Sequence, residues 1–303
     1  MNAFSELSRV LDGLWIEYFE NEPMSQHTSF RIGGPAKLYI VPKNALELSS
    51  SYKAASFLGV KTYVLGKGTN VLFDDEGYDG AVISTLLLDS IECDGCRIVC
   101  GAGYSMTGLS RFALEHSLCG LTFAYGIPGS VGGGVYMNAG AYTGDVSTVL
   151  EYSEYLDTSN GNVYTLDKDA HSFDYRYSSY KSHPERIILK AAFMLHEADR
   201  AKIKAEMDDF MERRKTKQPL EYPSAGSVFK RYPGRYTAQM IDEAGLKGAS
   251  VGGAKVSEKH AGFIINTGGA TCKDVLDLID IIKGAIKQKF GIDIECEVIS
   301  VGR

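Results

Sequence analysis

Residues 126–142 read Gly-Ile-Pro-Gly-Ser-Val-Gly-Gly-Gly-Val-Tyr-Met-Asn-Ala-Gly-Ala-Tyr, and six of these seventeen positions are glycine. Glycine reaches positive φ without a Cβ clash and lets a backbone come close to whatever faces it. An ordinary turn needs one or two such residues. The stretch has neither a helical nor a strand period and almost no charge, so it reads as a loop built for close approach. Successive N–H groups in such a bend can form a nest for an anion, typically a phosphate. The candidate contacts are Gly126, Ile127, Pro128, Gly129, Ser130, Gly132, Gly133, Asn138, Ala139 and Gly140. A tight turn inside a core is the competing reading.

A second glycine loop lies upstream, with Gly66, Lys67, Gly68, Thr69 and Asn70 between the β-branched run 61–65 and Val71-Leu-Phe73. Its spacing is not that of a P-loop, and no long helix follows as in a Rossmann unit. Two such loops in one chain favour a dinucleotide over a mononucleotide.

The 303 residues suffice for two or three domains. A net charge of -6 with no lysine–arginine stripe argues against nucleic acid. No signal peptide and no apolar run long enough to span a membrane is visible, so a cytoplasmic protein is expected. Cys93-x-x-Cys96 with Cys100 invites a metal or redox reading. Asp94-Gly95 is, however, a hairpin signal between two short strands, and no histidine is near, so no metal site is expected.

In chain order, periodicity predicts helices over 4–14, 45–57, 106–117, 199–217, 236–244 and 271–290. Strands are predicted over 36–41, 61–65, 71–73, 81–84, 149–156, 162–166, 186–196 and 292–301, with residues 15–24 a polar connector. The class is α+β. The charged helix that ends before Pro219 marks a candidate domain boundary, and the expected division of the chain is 1–85, 86–198 and 199–303.

Three polar residues stand in unusual company. Arg176 lies between two tyrosines and is either a surface residue packed on rings or a fixed fork for a carboxylate. Ser227, after Ala-Gly and before an apolar pair, is an exposed hydroxyl at a strand start or simply a turn hydroxyl, and no Gly-x-Ser-x-Gly elbow surrounds it. Glu297 shares a strand face with Glu295, and alternation does not choose between them.

Several segments closely resemble the UDP-N-acetylenolpyruvoylglucosamine reductase family. They are 126–141, Thr28–Ala36, Leu65–Asn70, Tyr175–Ser178, Ala225–Lys230, Glu243–Gly248, Val256–Phe263 and Glu297-Val298. The resemblance covers nearly everything after residue 20. It implies a two-part FAD-binding region of the vanillyl-alcohol-oxidase type followed by a C-terminal α+β substrate domain. It implies non-covalent FAD, NADPH as co-substrate, and reduction of a UDP-sugar enolpyruvyl ether in peptidoglycan precursor synthesis. The catalytic residues would be Arg176, Ser227 and Glu297, the last chosen over Glu295 because the family's acid directly precedes a valine. Arg214, Lys217 and Lys230 match substrate-contacting regions, although a solvated helix end accounts equally for the first two. Arg231 stands where one branch of the family has asparagine, and the segment between Lys190 and Asp199 is short. Both features resemble the shorter branch, which lacks a tyrosine-bearing closing loop. A flavin oxidase of the same fold, and a dinucleotide-binding module without catalysis, are the rival readings.

Overall fold

A computed structural model of the chain describes residues 2–142 and 144–302. The chain forms two compact units. One comprises Met1–Glu20, Lys37–Lys67 and Gly80–Arg213; the other comprises Asn21–Ala36, Gly68–Asp79 and Arg214–Arg303.

The first unit contains two apolar cores. Helices Ala3–Gly13 and Ala45–Phe57 start at Asn2 and Asn44, whose side chains accept the Ser5 and Glu47 N–H groups, each at 2.9 Å. Such caps satisfy amides that a first helical turn leaves unbonded. Strand Thr62–Leu65 runs parallel to Tyr78–Ser84, with Thr62 opposite Ala81. Leu7, Leu11, Leu38, Ile40, Leu48 and Ile83 fill this core.

The second core rests on a five-stranded antiparallel sheet, in the order Val163–Asp167, Leu150–Asp157, Arg186–Met194, Arg97–Gly101, Ile91–Asp94. Side chains alternate faces along a strand. Ile187 and Leu189 accordingly join the first core while Ile188 joins the second, so an unbroken apolar run serves two layers. The Cys93–Cys96 region is the expected hairpin, but its two turn residues are Gly95 and Cys96, since Asp94 pairs with Arg97. Gly95 carries the positive φ of 55°. Among the described residues no group of three His, Cys, Asp or Glu side chains could hold a metal ion.

The glycine stretch departs from its reading as a loop without helix. Val131–Met137 is a helix, stopped by Asn138 in the left-handed region (φ 43°). Three of its seven residues are glycine, which removes the apolar stripe that reveals a helix in sequence. Packing explains them. A Cβ on Gly132 would lie 2.9 Å from Ala102 Cβ, and one on Gly134 would lie 2.8 Å from Met106 Sδ.

In the second unit, strands Ser224–Ser227, Phe263–Asn266, Ala254–Val256 and Ser250–Val251 pair in that order. Helix Cys272–Phe290 buries Val275, Leu278, Ile279, Ile282 and Ile286 in a core with Phe30, Val228 and Met240. Full burial of each such side chain contributes about 1.5–3 kcal/mol. Its start is a reciprocal capping box between Thr271 and Asp274, and Asp75 accepts the Cys272 and Lys273 N–H groups at 2.7 and 3.0 Å. Gly291 at φ 70° ends it.

Two further expectations are corrected. Residues 292–301 do not form one strand; only Ile299–Val301 does, parallel to Val71–Phe73. Upstream, contact with strand geometry shrinks to a single bridge between Phe229 and Cys296. The alternation is still visible, since Ile294 and Val298 are buried on one side, but the hydrogen-bond ladder is not. Residues Glu17–Pro23, read as connector, are a strand whose polar composition hid it.

A polar network lies inside the second core of the first unit. Ser153, His171 and Tyr180 are 0%, 0% and 2% exposed. The His171 Nδ1 lies 2.9 Å from the Asp167 carbonyl, which can only accept, so this nitrogen carries the proton. Nε2 then accepts from the Ser153 hydroxyl at 2.7 Å, and Ser153 accepts from Tyr180 at 2.7 Å. Burial pushes the His171 pKa down from 6.5. The unfolded chain therefore takes up a proton that the folded chain refuses, and stability falls as pH drops through about 6.5. His260 is shifted the same way by burial. Urea unfolding from about pH 7.5 down to 5 is expected to show this loss, and His171→Phe to flatten the slope without abolishing it. An unchanged slope in the variant would contradict a neutral His171.

Candidate active site

The two glycine loops meet within the first unit. Ser130 precedes the glycine helix, and its hydroxyl is buried with no hydrogen-bond partner among the described residues. A Cβ on Gly66 would fall 2.4 Å from that hydroxyl, while one on Gly133, which is exposed, would stand 3.5 Å from it. A buried hydroxyl without a partner costs free energy unless something else supplies one. Facing glycines leave room for that something. Donor chemistry and open space thus fit a group with phosphate oxygens at Gly66, Ser130 and Gly133.

The nest expected along the glycine run is only partly available. The Val131 and Gly132 N–H groups already donate to the Tyr104 and Ala102 carbonyls, each at 2.8 Å. Gly126 N–H donates to Thr107 Oγ1 at 3.1 Å, and Ile127 N–H to the Ala124 carbonyl at 3.0 Å. The Gly129 carbonyl accepts from Met106 N–H at 3.1 Å, and Pro128 is exposed. Ala139 N–H closes onto the Gly134 carbonyl at 2.8 Å. Lys67 is exposed in this unit.

Gly68, Thr69 and Asn70 belong to the second unit. Gly68 has φ +63°, and its absent Cβ would sit 2.0 Å from the His27 carbonyl oxygen, so only glycine fits there. Its carbonyl accepts from Ser29 N–H at 3.0 Å.

Arg176 stands at the tip of a tight turn. Asp174 and Tyr177 bond to each other in both directions, at 3.2 and 3.1 Å, and Arg176 has φ 55°. The turn hangs from the end of the glycine stretch. Asn138 Nδ2 donates to the Asp174 carbonyl at 3.1 Å, Ser178 Oγ to the Tyr136 carbonyl at 2.8 Å, and Arg176 itself to the Gly140 carbonyl at 3.3 Å. Lys181 holds the Arg176 carbonyl at 2.7 Å, and the guanidinium lies 5.1 Å from the centre of the Tyr175 ring. Sequence reasoning passes over Ser178, and the available signal is only the general tendency of serine hydroxyls in turns to bond to main chain.

In the second unit Ser227 ends strand Ser224–Ser227, opposite Phe263. The next carbonyl, Val228, accepts from Glu297 N–H at 2.7 Å, so Ser227 and Glu297 lie on adjacent segments. Asn70 Nδ2 pins the Glu297 carbonyl at 3.1 Å, tying the upstream glycine loop to this acid. The two acids that alternation left equivalent differ in surroundings. Glu295 is exposed and bonded to Lys230 Nζ at 2.8 Å, which holds its carboxyl below the ordinary glutamate value. Glu297 is half-buried. Because Lys230 is engaged with Glu295, it is not on hand as a free cation beside Ser227. Arg214 is buried and donates to Gln218 at 3.3 Å, whereas Lys217 is exposed at the end of helix Arg200–Lys217.

Comparison with known proteins adds to this geometry. A family model described as the FAD binding domain matches residues 36–167. Another, described as the C-terminal domain of UDP-N-acetylenolpyruvoylglucosamine reductase, matches residues 218–301. The reductase of Caldanaerobacter subterraneus subsp. tengcongensis is 46% identical over 282 residues, 93% of this chain and 93% of that protein. The chain belongs to the UDP-N-acetylenolpyruvoylglucosamine reductase family. The Clostridium novyi member is 42% identical over 297 residues, 98% of this chain and 95% of that protein. The crystal structure of the Thermus caldophilus enzyme superposes with a TM-score of 0.80 at 32% identity, covering 94% of this chain and 98% of that one. Both glycine loops, 66–70 and 126–142, and the anchors of the Arg176 turn at 136–140 fall within the FAD-binding match, while Arg176 itself lies beyond its end. Ser227 and Glu297 fall within the C-terminal match.

Gly66→Ala tests the junction. Ser130 can rotate away from the new methyl, so folding should lose only about 1 kcal/mol. Flavin affinity, read by titrating FAD into the flavin-stripped protein, should weaken at least tenfold, a loss of about 1.4 kcal/mol or more of binding. Unchanged affinity in this variant would place the cofactor elsewhere.

Proposed function

We propose that the protein reduces UDP-N-acetylglucosamine enolpyruvate to UDP-N-acetylmuramate, with NADPH as reductant and FAD as cofactor, in the cytoplasm. When bound, FAD supplies the hydride relay between NADPH and the enolpyruvyl group. The observation that carries the reading is the Arg176 turn hung on the end of the glycine stretch. A guanidinium fork of the kind that suits carboxylates thereby belongs to the same unit as Gly66, Ser130 and the glycine stretch.

The roles of the chain's own residues follow from the charge that moves. Hydride addition at C3 of the enol ether drives electron density toward the substrate carboxylate, and a proton must then reach C2. Arg176 accepts the growing negative charge through its guanidinium, a contribution of about 3 kcal/mol for one preorganised donor. Ser227 gives its hydroxyl proton to C2. Glu297, on the segment adjacent to Ser227, is assigned to the substrate carboxylate, which it assists only while it shares a proton, and that asks for a raised pKa. Arg214, Lys217 and Lys230 are assigned to the diphosphate end of the substrate, Lys230 by leaving Glu295 for it.

Anaerobic NADPH should bleach the yellow protein, and UDP-N-acetylglucosamine enolpyruvate should restore its colour. Ser227→Ala should bleach at the normal rate and recolour at least a hundredfold more slowly, in line with the roughly 10²–10⁴-fold worth of a positioned acid. Glu297→Gln should lose one limb of the pH profile of recolouring. Bleaching without any recolouring in the unmodified protein would remove the substrate assignment, and normal recolouring in Ser227→Ala would remove the acid.

A further inference from the structure

The Arg176 turn is held at its glycine-stretch side by Asn138, Tyr136 and Gly140. Its other attachment is the buried network described above. His171 is the last residue of the short helix Lys168–His171, and Tyr180 lies in the short helix Ser179–Ser182. Residues 172–178, including the turn, run between them. Both side chains bond to one atom, the hydroxyl of Ser153 on strand Leu150–Asp157, at 2.7 Å each.

We propose that Ser153, His171 and Tyr180 act as a positioning clamp for Arg176, fixing both ends of the segment that presents its guanidinium. The proposal rests on the reading that Arg176 meets the substrate carboxylate.

The bonds in the clamp point one way. Tyr180 donates to Ser153, Ser153 donates to His171 Nε2, and His171 Nδ1–H donates to the Asp167 carbonyl. Each donor and each acceptor is used only with a neutral imidazole. A proton added to Nε2 would make this nitrogen a donor to Ser153, and either the Ser153 or the Tyr180 hydroxyl proton would then lose its acceptor. The Tyr180 hydroxyl has no other hydrogen-bond partner among the described residues. The ring also stacks on Phe173, 4.9 Å between centroids and 10° between planes, so its plane is set by packing and its hydrogen bonds set which nitrogen faces Ser153.

Among the charged groups near the ring, Asp167 favours a proton on it, and burial outweighs that pull. Asp167 and Lys168 precede His171 on its own segment, and Tyr180 meets it edge-on at 5.7 Å. Tyr155, from strand Leu150–Asp157, and Arg186, from strand Arg186–Met194, stand beyond Tyr180, with the Arg186 guanidinium 5.1 Å from the Tyr155 ring centre. No carboxylate side chain is bonded to the imidazole to hold it charged. A tightly fixed arginine is worth the construction because misplacing a positioning group by about 1 Å can cost 10²-fold in rate.

The test uses the flavin-loaded protein and separates its two half-reactions. Tyr180→Phe removes one hydroxyl and keeps the ring, and Ser153→Ala removes both bonds. Bleaching by NADPH should stay within about twofold of the unmodified protein in both. Recolouring by the enolpyruvyl substrate should slow roughly tenfold in Tyr180→Phe and toward a hundredfold in Ser153→Ala. Calorimetric binding of UDP-N-acetylmuramate should weaken in the same order. Independently, nitrogen NMR of the unmodified protein at about pH 6 should show His171 neutral and protonated at Nδ1.

Normal recolouring in both clamp variants, or equal loss of bleaching and recolouring, overturns the clamp. So does an imidazolium or an Nε2–H tautomer. Arg176→Lys is the control that separates this failure from failure of the underlying reading. If Arg176→Lys recolours normally, the carboxylate role falls and the clamp with it; if it is slow while the clamp variants are normal, only the clamp falls.

Discussion

The absence of three Cβ atoms lets one short helix do work that an ordinary helix could not. Gly132 rests on Ala102 and Gly134 on Met106 at separations that a methyl group would close. That contact brings residues 102–106 against 130–134 closely enough for Tyr104 and Ala102 to accept the Val131 and Gly132 amides. The consequence is positional. Ser130 is carried to Gly66 at one end of the helix, and Tyr136, Asn138 and Gly140 are carried to the Arg176 turn at the other. A larger residue at 132 or 134 would push apart both ends at once, because packed interiors transmit such strain rather than absorb it.

What the sequence makes visible follows from where periodicity is strong. Helix 271–290 carries its apolar stripe, its capping box and its terminal glycine, and each is where the pattern puts it. Helix 45–57 is also read to the residue, from its apolar content and the polar break before it. The glycine helix escapes because its packing is made by missing side chains, and a stripe of absences has no hydropathy. Glu17–Pro23 escapes because a strand with charged faces looks like a linker. Segment 292–298 errs in the other direction: it alternates as a strand does, but it meets the main chain of 228–230 at isolated points and forms no ladder.

Site residues are less legible than elements. Alternation gives Glu295 and Glu297 equal standing, and the difference lies in partners distant in sequence. Lys230 reaches Glu295, while the Val228 carbonyl and the Asn70 side chain fix the backbone of Glu297. Ser153, His171 and Tyr180 have no motif at all. They are ordinary residues scattered over three segments, and only folding makes them share one hydroxyl.

That sharing also bears on why a polar network is tolerated in a core. Replacing the three groups by apolar ones of like shape would avoid their desolvation, and a half-satisfied network would be worse than either. Here every bond has a fixed direction, so the network accepts one arrangement of segment 167–180 and rejects its neighbours. Apolar contacts such as His171 on Phe173 tolerate sliding. Hydrogen bonds at 2.7 Å with assigned donors do not. A segment that must hold Arg176 at a positive φ, against its ordinary backbone preference, needs restraint of the second kind.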